Sequence, residues 1–474
     1  MHDLHKDGDL LLIRCPIQII QEEPEWIWGH EKRVYDSPPG QAYLRWMKSV
    51  GHTYRIRAAL GAPDVLVLGD PLAISYILQE KIYDYRRKPL KTWKAKYFKR
   101  RLRLVSIVYG YLTIVNVLDQ VLDDLSQAVE DSDGEIGVNI LSWTNRMTLN
   151  SIGRVAFLYD FEAGKSREAQ LILDTRRKSL TGIARYASFL TLMMLRRFPA
   201  LNSLPVPALQ AQSLVTTTIK SVVAKEIIAR GSSTSDLRTR GKDLLSRLLV
   251  AHDEQHLSVE ELHEHISTFL VSGQETTSQT VAFSIFELSR HPEIQQRLRE
   301  ELDTSYPSST GTPQSQLPYL DAVLKETLRM YPALPYMERV ATKSDRIPLQ
   351  TPISHGGDQA LRDIRVEKGQ TVIIPIISLH RSDAIWGDGS VFRPERWLEA
   401  LPHEAQRLPG WSNLLAFSDG PRACPGMRMA VLSDIWVKES NNSEVVLRIS
   451  SSLQPWVIDD SDQGPQVPVT LHMR

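Results

Sequence analysis

Cysteine is nearly missing from this chain: its 474 residues hold two, Cys15 and Cys424. Thiols so far apart in sequence suggest no disulfide framework, and they fit a reducing compartment. A surplus of either charge is lacking too. Lys plus Arg and Asp plus Glu both number 56, so nothing global calls for nucleic acid or for an acidic partner. Long apolar runs are also absent. The stretch 10–20 is broken by Arg14, Pro16 and Gln18 and has no signal-peptide layout, and the run 189–195 is shorter still. Both fall short of the ~18–20 residues that a membrane-crossing helix needs, so the chain reads as soluble or peripherally membrane-bound. No fixed-period repeat and no low-complexity tract stands out, and 42% hydrophobic residues exclude a disordered or collagenous chain.

What is present is a helix-rich body between small sheets. Residues 53–57 alternate with period two, and the apolar run 65–68 is closed by Gly69-Asp70-Pro71. From about 114 to 299 the pattern is helical, with polar loops at 231–241 and 306–316. Strand-like pieces return between 347 and 377, including 370–374, and again at 467–471. Sheets drawn from both ends of the chain imply one interlocked domain over 38–474, preceded by a segment 1–37 without a clear anchor.

One helix is defined at both ends. Ser258 and Glu261 make a capping box, and Pro292 blocks continuation past Arg290-His291. About 30 residues at 1.5 Å each give roughly 45 Å, enough to cross the molecule. Its middle is apolar on all sides and so buried. Into that middle the sequence sets Ser272-Gly273-Gln274-Glu275-Thr276-Thr277, a run of poor helix formers. One reading is a tight helix crossing with hydroxyls bonded back to carbonyls. The other is function, favoured by a carboxylate that burial would make costly if unpaired.

Three further constellations carry chemistry. In 317–332, Glu326 and Arg329 sit at i, i+3, a spacing that by itself most often means a surface ion pair. The loop Phe392-Arg-Pro-Glu-Arg396-Trp is equally weak alone. The run Phe417-Ser-Asp-Gly420-Pro-Arg422-Ala-Cys424-Pro-Gly426 is sharper. Its glycines permit a tight turn before the thiol and close approach after it. A helix starting just downstream favours a thiolate, and Arg422 can bind an anionic group. No second Cys is near enough to make a zinc or redox pair. A cysteine presented to a metal-bearing ligand fits best.

Taken together these motifs resemble a haem-thiolate monooxygenase, a cytochrome P450 of fungal microsomal type. The family's Phe-x-x-Gly-x-Arg-x-Cys-x-Gly matches 417–426, its Glu-x-x-Arg 326–329, its Pro-Glu-Arg 394–396 and its Ala/Gly-Gly-x-Asp/Glu-Thr-Thr 272–277, all in family order. The resemblance implies a mainly α fold with small sheets (α+β), with haem b (iron protoporphyrin IX) between the long helix and the Cys loop. It implies Cys424 as iron ligand, with Phe417, Gly420 and Gly426 shaping that loop. Arg422 and Arg339 would hold propionates, Glu275 and Thr276 would relay protons in a groove opened by Gly273, and Glu326, Arg329 and Arg396 would form a buried structural triad behind the haem, not a catalytic one. It further implies O2, an apolar small-molecule substrate, an NADPH-cytochrome P450 reductase, a monomer, no nucleic acid, and a place at the cytoplasmic face of the endoplasmic reticulum with peripheral membrane contact.

The chain departs from the family pattern in three places. None of its ten tryptophans has Arg four residues later, so the helix-C Trp-x-x-x-Arg is missing. In its place, 86–103 carry ten Lys/Arg and no acid, read either as a solvated face or as a docking surface for a reductase or anionic lipid. The helix after Cys424 is expected to stop at Glu439-Ser-Asn-Asn442, and no N-terminal membrane anchor is visible. Two alternatives therefore stand beside the monooxygenase: a haem-thiolate isomerase, dehydratase or peroxygenase, and a haem-poor pseudoenzyme or interaction protein. The Glu275-Thr276 pair argues against the first.

Overall fold

Short apolar runs without alternation are expected where a strand is covered on both faces, and two such runs lie side by side in the main sheet. Strand β2 (Val65–Leu68) pairs in parallel with β8 (Thr371–Ile374), Leu66 opposite Val372, and every residue of both is buried. Around them the order is β1-β2-β8-β5-β3, with β1 (Thr53–Ile56), β5 (Met337–Ala341) and β3 (Tyr85–Arg86) joining antiparallel. The turn after β2 follows the sequence signal. Asp70 caps the helical turn 71–75 by accepting from the Ala73 amide at 3.1 Å, and its carboxylate also accepts from the amides of Gln350 and Thr351. That buried side chain thereby ties the main sheet to β6 (Asp345–Ser354), which pairs with β7 (Ala360–Val366).

This is a computed structural model. It describes residues 20, 22–86, 107–132, 135–180, 193–194, 197–198, 218–233, 243–305, 317–354, 360–432, 445–449, 452–457 and 465–472. The basic run 86–103 apart from Arg86, the loop 306–316, most of 231–241 and the helix end expected at 439–442 lie outside those residues. What is described is mainly helical with small sheets, as the sequence led us to expect.

Two smaller pairings bring the C-terminal end of the chain back onto the helices. β4 (Glu135–Asn139) pairs antiparallel with β11 (Pro468–His472), and β9 (Val445–Ile449) with β10 (Leu453–Val457). The helical body is built on α1 (Ile107–Glu130), α2 (Ile140–Phe157), α3 (Arg167–Leu180), α4 (Val259–Arg290) and α5 (Pro318–Met330). In α4 the capping box forms as read: the Glu261 amide donates to Ser258 Oγ at 3.2 Å and the Ser258 amide to Glu261 Oε2 at 3.0 Å. The helix ends at Arg290, where the residue before Pro292 leaves helical geometry. Its hydroxyls bond back one turn, Thr276 to the Ser272 carbonyl at 2.7 Å and Thr280 to that of Thr276 at 3.0 Å. Poor helix formers are thus accommodated without orphaned donors.

Helix α2 lies along α4, and small residues decide how its own end turns. A Cβ on Gly153 would meet Phe161 Cδ2 at 2.5 Å and the Tyr159 carbonyl oxygen at 2.7 Å, so the chain folds back tightly over this glycine. Ala normally gains about 1 kcal/mol over Gly in a helix. Here Gly153→Ala should instead destabilise by about 1–3 kcal/mol, because backbone and a buried ring must move. Thermal unfolding followed by circular dichroism would show it, with Gly137→Ala as the control, since nothing lies within 4 Å of a Cβ there.

Candidate functional site

The thiol sits in a loop whose turns are fixed by backbone bonds. The Cys424 amide donates to the Phe417 carbonyl at 2.8 Å, and the Ala423 amide to that of Gly420 at 3.0 Å. Gly420 is required twice over: its φ is +69°, and a Cβ would run into the Leu78 carbonyl. Asp419 braces the turn, accepting from the Gly420 amide at 2.7 Å and from Gln79 Nε2 at 2.6 Å. Phe417 packs edge-on against Trp411 with ring centroids 5.7 Å apart. At Gly426 a Cβ would meet, among the described residues, only Cys424 Sγ, at 3.9 Å. The short helix α6 (Met427–Leu432) follows directly.

Cys424 is open to solvent, yet its surroundings push the thiol pKa up by desolvation, while amide hydrogen bonds from Gly426 and Met427 act the other way. Two amides aimed at one sulfur suit a thiolate, and the described residues offer no competing set of three or more metal-binding side chains. This donor set fits a single-thiolate metal ligand.

Of the two arginines expected to bind anions, Arg339 lies on β5 with 4% of its surface exposed. Its Nη1 donates to the Glu338 carbonyl at 2.9 Å, and its Nη2 lies 2.8 Å from Met337 Sδ. Ser418 Oγ reaches the same sulfur at 3.9 Å, which places Arg339 beside the Cys loop. Arg422 instead stacks over Tyr83, 5.1 Å from the ring centroid, on the exposed side of the loop.

Glu326, Arg329 and Arg396 come together, and the surface ion pair that is the usual meaning of Glu-x-x-Arg is overturned. Glu326 and Arg329 have no exposed surface and Arg396 has 1%. Arg329 forks onto Glu326 at 2.9 and 2.8 Å, and Arg396 Nε reaches Glu326 Oε1 at 3.0 Å. Two further donors to this carboxylate, Trp397 Nε1 at 3.0 Å and the Arg393 amide at 2.8 Å, have no local signal in the sequence. Arg329 also donates to the carbonyls of His380, Gly389 and Val391 at 2.5, 2.6 and 2.9 Å. The His380 ring then accepts from the Leu415 amide at 3.0 Å, linking the triad to the start of the Cys loop. Burial pushes the His380 pKa down to about 3, so this acceptor stays neutral.

Glu275 and Thr276 are adjacent on α4 but point to different partners. Glu275 is 5% exposed, ion-paired with Arg176 of α3, and held by Ser452 and Gln454 beside and within β10. Burial pushes Arg176 down to about 10. Thr276 is half-buried and bonded to its own helix. Gly273 does not open a groove toward α2. A Cβ there would meet Ile152 Cδ1 and Cγ1 at 2.9 Å, so its smallness admits Ile152, as the helix-crossing reading held. Met429 of α6 packs against two core clusters to which Leu270 and Val281 of α4 also belong, and α6 itself lies against α1.

Comparison with known proteins agrees with this geometry. Residues 21–433 match the family model described as Cytochrome P450. Cytochrome P450 monooxygenase 128 of Postia placenta is 28% identical over 530 aligned residues, covering 99% of this chain and 96% of that one. Cytochrome P450 monooxygenase claP of Ampulloclitocybe clavipes is 29% identical, covering 83% and 78%. The 530 aligned positions exceed the 474 residues here, so the Postia protein carries segments without a counterpart in this chain.

Removing the charge of Glu326 leaves two buried guanidiniums with their shared counter-ion gone. Glu326→Gln should cost about 3–5 kcal/mol, read as an earlier urea midpoint at unchanged slope. A change under about 1 kcal/mol would mean that the neighbouring carbonyls, with Asp388 2.7 Å from Arg396 Nη1, suffice for both arginines.

Proposed function

The chain belongs to the cytochrome P450 family, and from that premise we propose that Cys424 is the axial thiolate of its haem and that Glu275 and Thr276 move protons for its oxygenase reaction. It is a haem-thiolate monooxygenase with haem b as cofactor. Family members draw electrons from a redox partner and act with O2 on hydrophobic substrates. When bound, the haem supplies the dioxygen chemistry, while the protein supplies ligand, proton path and pocket.

The observation that carries this reading is the Cys424 sulfur facing two amide donors in a turn that only Gly420 can make. Those donors stabilise the thiolate form that a metal requires. In our reading Gly426 would leave room for the haem, since among the described residues nothing but Cys424 Sγ lies within 4 Å of a Cβ there. Phe417 contributes the loop's apolar side. Arg339, buried beside Met337 and Ser418, would hold one propionate, and Arg422, now over the Tyr83 ring, would hold the other. Glu326, Arg329 and Arg396 are structural and touch no reactant. Glu275 accepts protons from the buried polar side of α4, and the Thr276 hydroxyl, able to donate and accept, passes them on toward the dioxygen site.

We assign the electron donor as NADPH-cytochrome P450 reductase, the substrate as an apolar small molecule, the working unit as a monomer and the location as the cytoplasmic face of the endoplasmic reticulum. Among the described residues no helix is long and apolar enough to cross a membrane.

Two outcomes test these assignments. Cys424→Ala should lose the thiolate-type band in the carbon monoxide difference spectrum of the reduced protein, because a methyl group cannot supply the ligand's charge; persistence of that band would remove Cys424 from the iron. Thr276→Ala should keep its haem and melt near the parent temperature, yet release about tenfold more peroxide per NADPH oxidised with reductase present. Unchanged peroxide with a lowered melting temperature would leave Thr276 a helix-bracing hydroxyl.

A further inference from the structure

The carboxylate of Glu275 is gripped from two sides by parts of the chain far from it in sequence. Oε1 accepts from Ser452 Oγ at 2.6 Å and from Gln454 Nε2 at 2.9 Å. Oε2 is ion-paired with Arg176, which also donates to Gln274. Gln274 in turn donates to Asn145 Oδ1 at 2.5 Å, and that oxygen accepts from Ser278 at 2.7 Å as well. Ser452 and Gln454 are each 2% exposed, so water contributes little at this end of the network.

Strand geometry explains how two residues of one short segment reach the same oxygen. Side chains alternate along a strand, so 452 and 454 share a face and 453 takes the other. Leu453 is fully buried in the cluster that contains Phe283 and Tyr331, and its amide donates to the Ala333 carbonyl at 2.9 Å. The backbone at 453 is thereby fixed just beyond α5. Gln454 Nε2 also donates to Ser452 Oγ at 3.1 Å, so each donor orients the other.

We propose that Ser452 and Gln454 are positioning residues for the acid of the proton relay. They hold Glu275 Oε1 opposite the Arg176 contact and so fix the direction in which the carboxylate faces. This rests on the reading of Glu275 and Thr276 as that relay. Without the two neutral donors, Oε1 loses the hydrogen bonds that aim it at the hairpin, while the ion pair of Oε2 with Arg176 remains. Removing Arg176 would be a poorer probe, since it breaks a buried ion pair and disturbs stability as well as direction.

The test is a double-mutant cycle of Gln454→Leu and Glu275→Gln, with Ser452→Ala and Ser452→Thr alongside. Peroxide released per NADPH oxidised with reductase needs no identified substrate. Its solvent deuterium isotope effect and the melting temperature of each variant complete the readout. Gln454→Leu and Ser452→Ala should each change the peroxide yield at least threefold and alter the isotope effect, while Ser452→Thr restores the parent values. In the Glu275→Gln background, Gln454→Leu should have no further effect on yield, and its shift in melting temperature should shrink. If Gln454→Leu and Ser452→Ala lower the melting temperature but leave yield and isotope effect unchanged, the hairpin only fastens α4 and the inference is overturned. A Glu275→Gln protein with parental yield would overturn the relay and this inference together. An effect of Glu275→Gln with none from either hairpin variant would overturn this inference alone.

Discussion

Everything around the cysteine depends on one buried carboxylate. Glu326 accepts from two guanidiniums, an indole N–H and a backbone amide, and the two guanidiniums are closed to water. Burying such a cluster is no reliable gain in stability over an apolar core. What it provides is a set of directed donors for irregular backbone. Between 376 and 397 the chain runs through short helical turns whose carbonyls have few regular partners. Arg329 and Arg396 point their forks at the carbonyls of His380, Trp386, Asp388, Gly389 and Val391. A lysine, with one compact charge, could not serve so many acceptors at fixed angles. The His380 ring carries this order one step further, to the Leu415 amide and hence to the Cys loop.

The central helix obeys a second constraint. It must be long and buried, yet it carries a glycine, a glutamate and two threonines in the middle. Each local fault has its own remedy. Ile152 fills the space left by Gly273, the Thr276 hydroxyl bonds back to Ser272, and Glu275 finds donors on α3 and beside β10. Where local preference and global fold disagree, a functional site is the usual reason.

How much of this was legible in the sequence follows the reach of each interaction. The capping box of α4, its stop before Pro292, the strands 65–68 and 370–374 and the turn at Gly420 all depend on residues within a few positions, and all were readable. The burial of Glu326 was legible through the family resemblance alone, because a Glu-x-x-Arg pair by itself looks the same on a surface, and it is the cover from 386–397 that makes it a core. Arg176 was invisible for a similar reason. It is one basic residue among several on α3, and nothing local marks it as the partner of Glu275, about a hundred positions later. Arg422 shows the converse: the motif named it correctly as part of the loop, but its stacking on Tyr83 depends on a segment more than three hundred residues away.

This difference in reach also divides the labour within the site. The thiol is presented by bonds among residues 415–430, supported by a charged cluster that is itself nearly closed to water. Its geometry is largely set once that segment folds. The acid on α4 is the opposite case, since its orientation is set by residues 176, 452 and 454, which meet only when α3 and the C-terminal hairpin have both packed against α4. Small motions of packed elements move such long-range partners more than they move a hydrogen-bonded turn. The molecule thus joins a thiol fixed locally to a buried acid fixed by tertiary closure, and changes at the C-terminal end can reorient that acid while the turn that presents the thiol stays as it is.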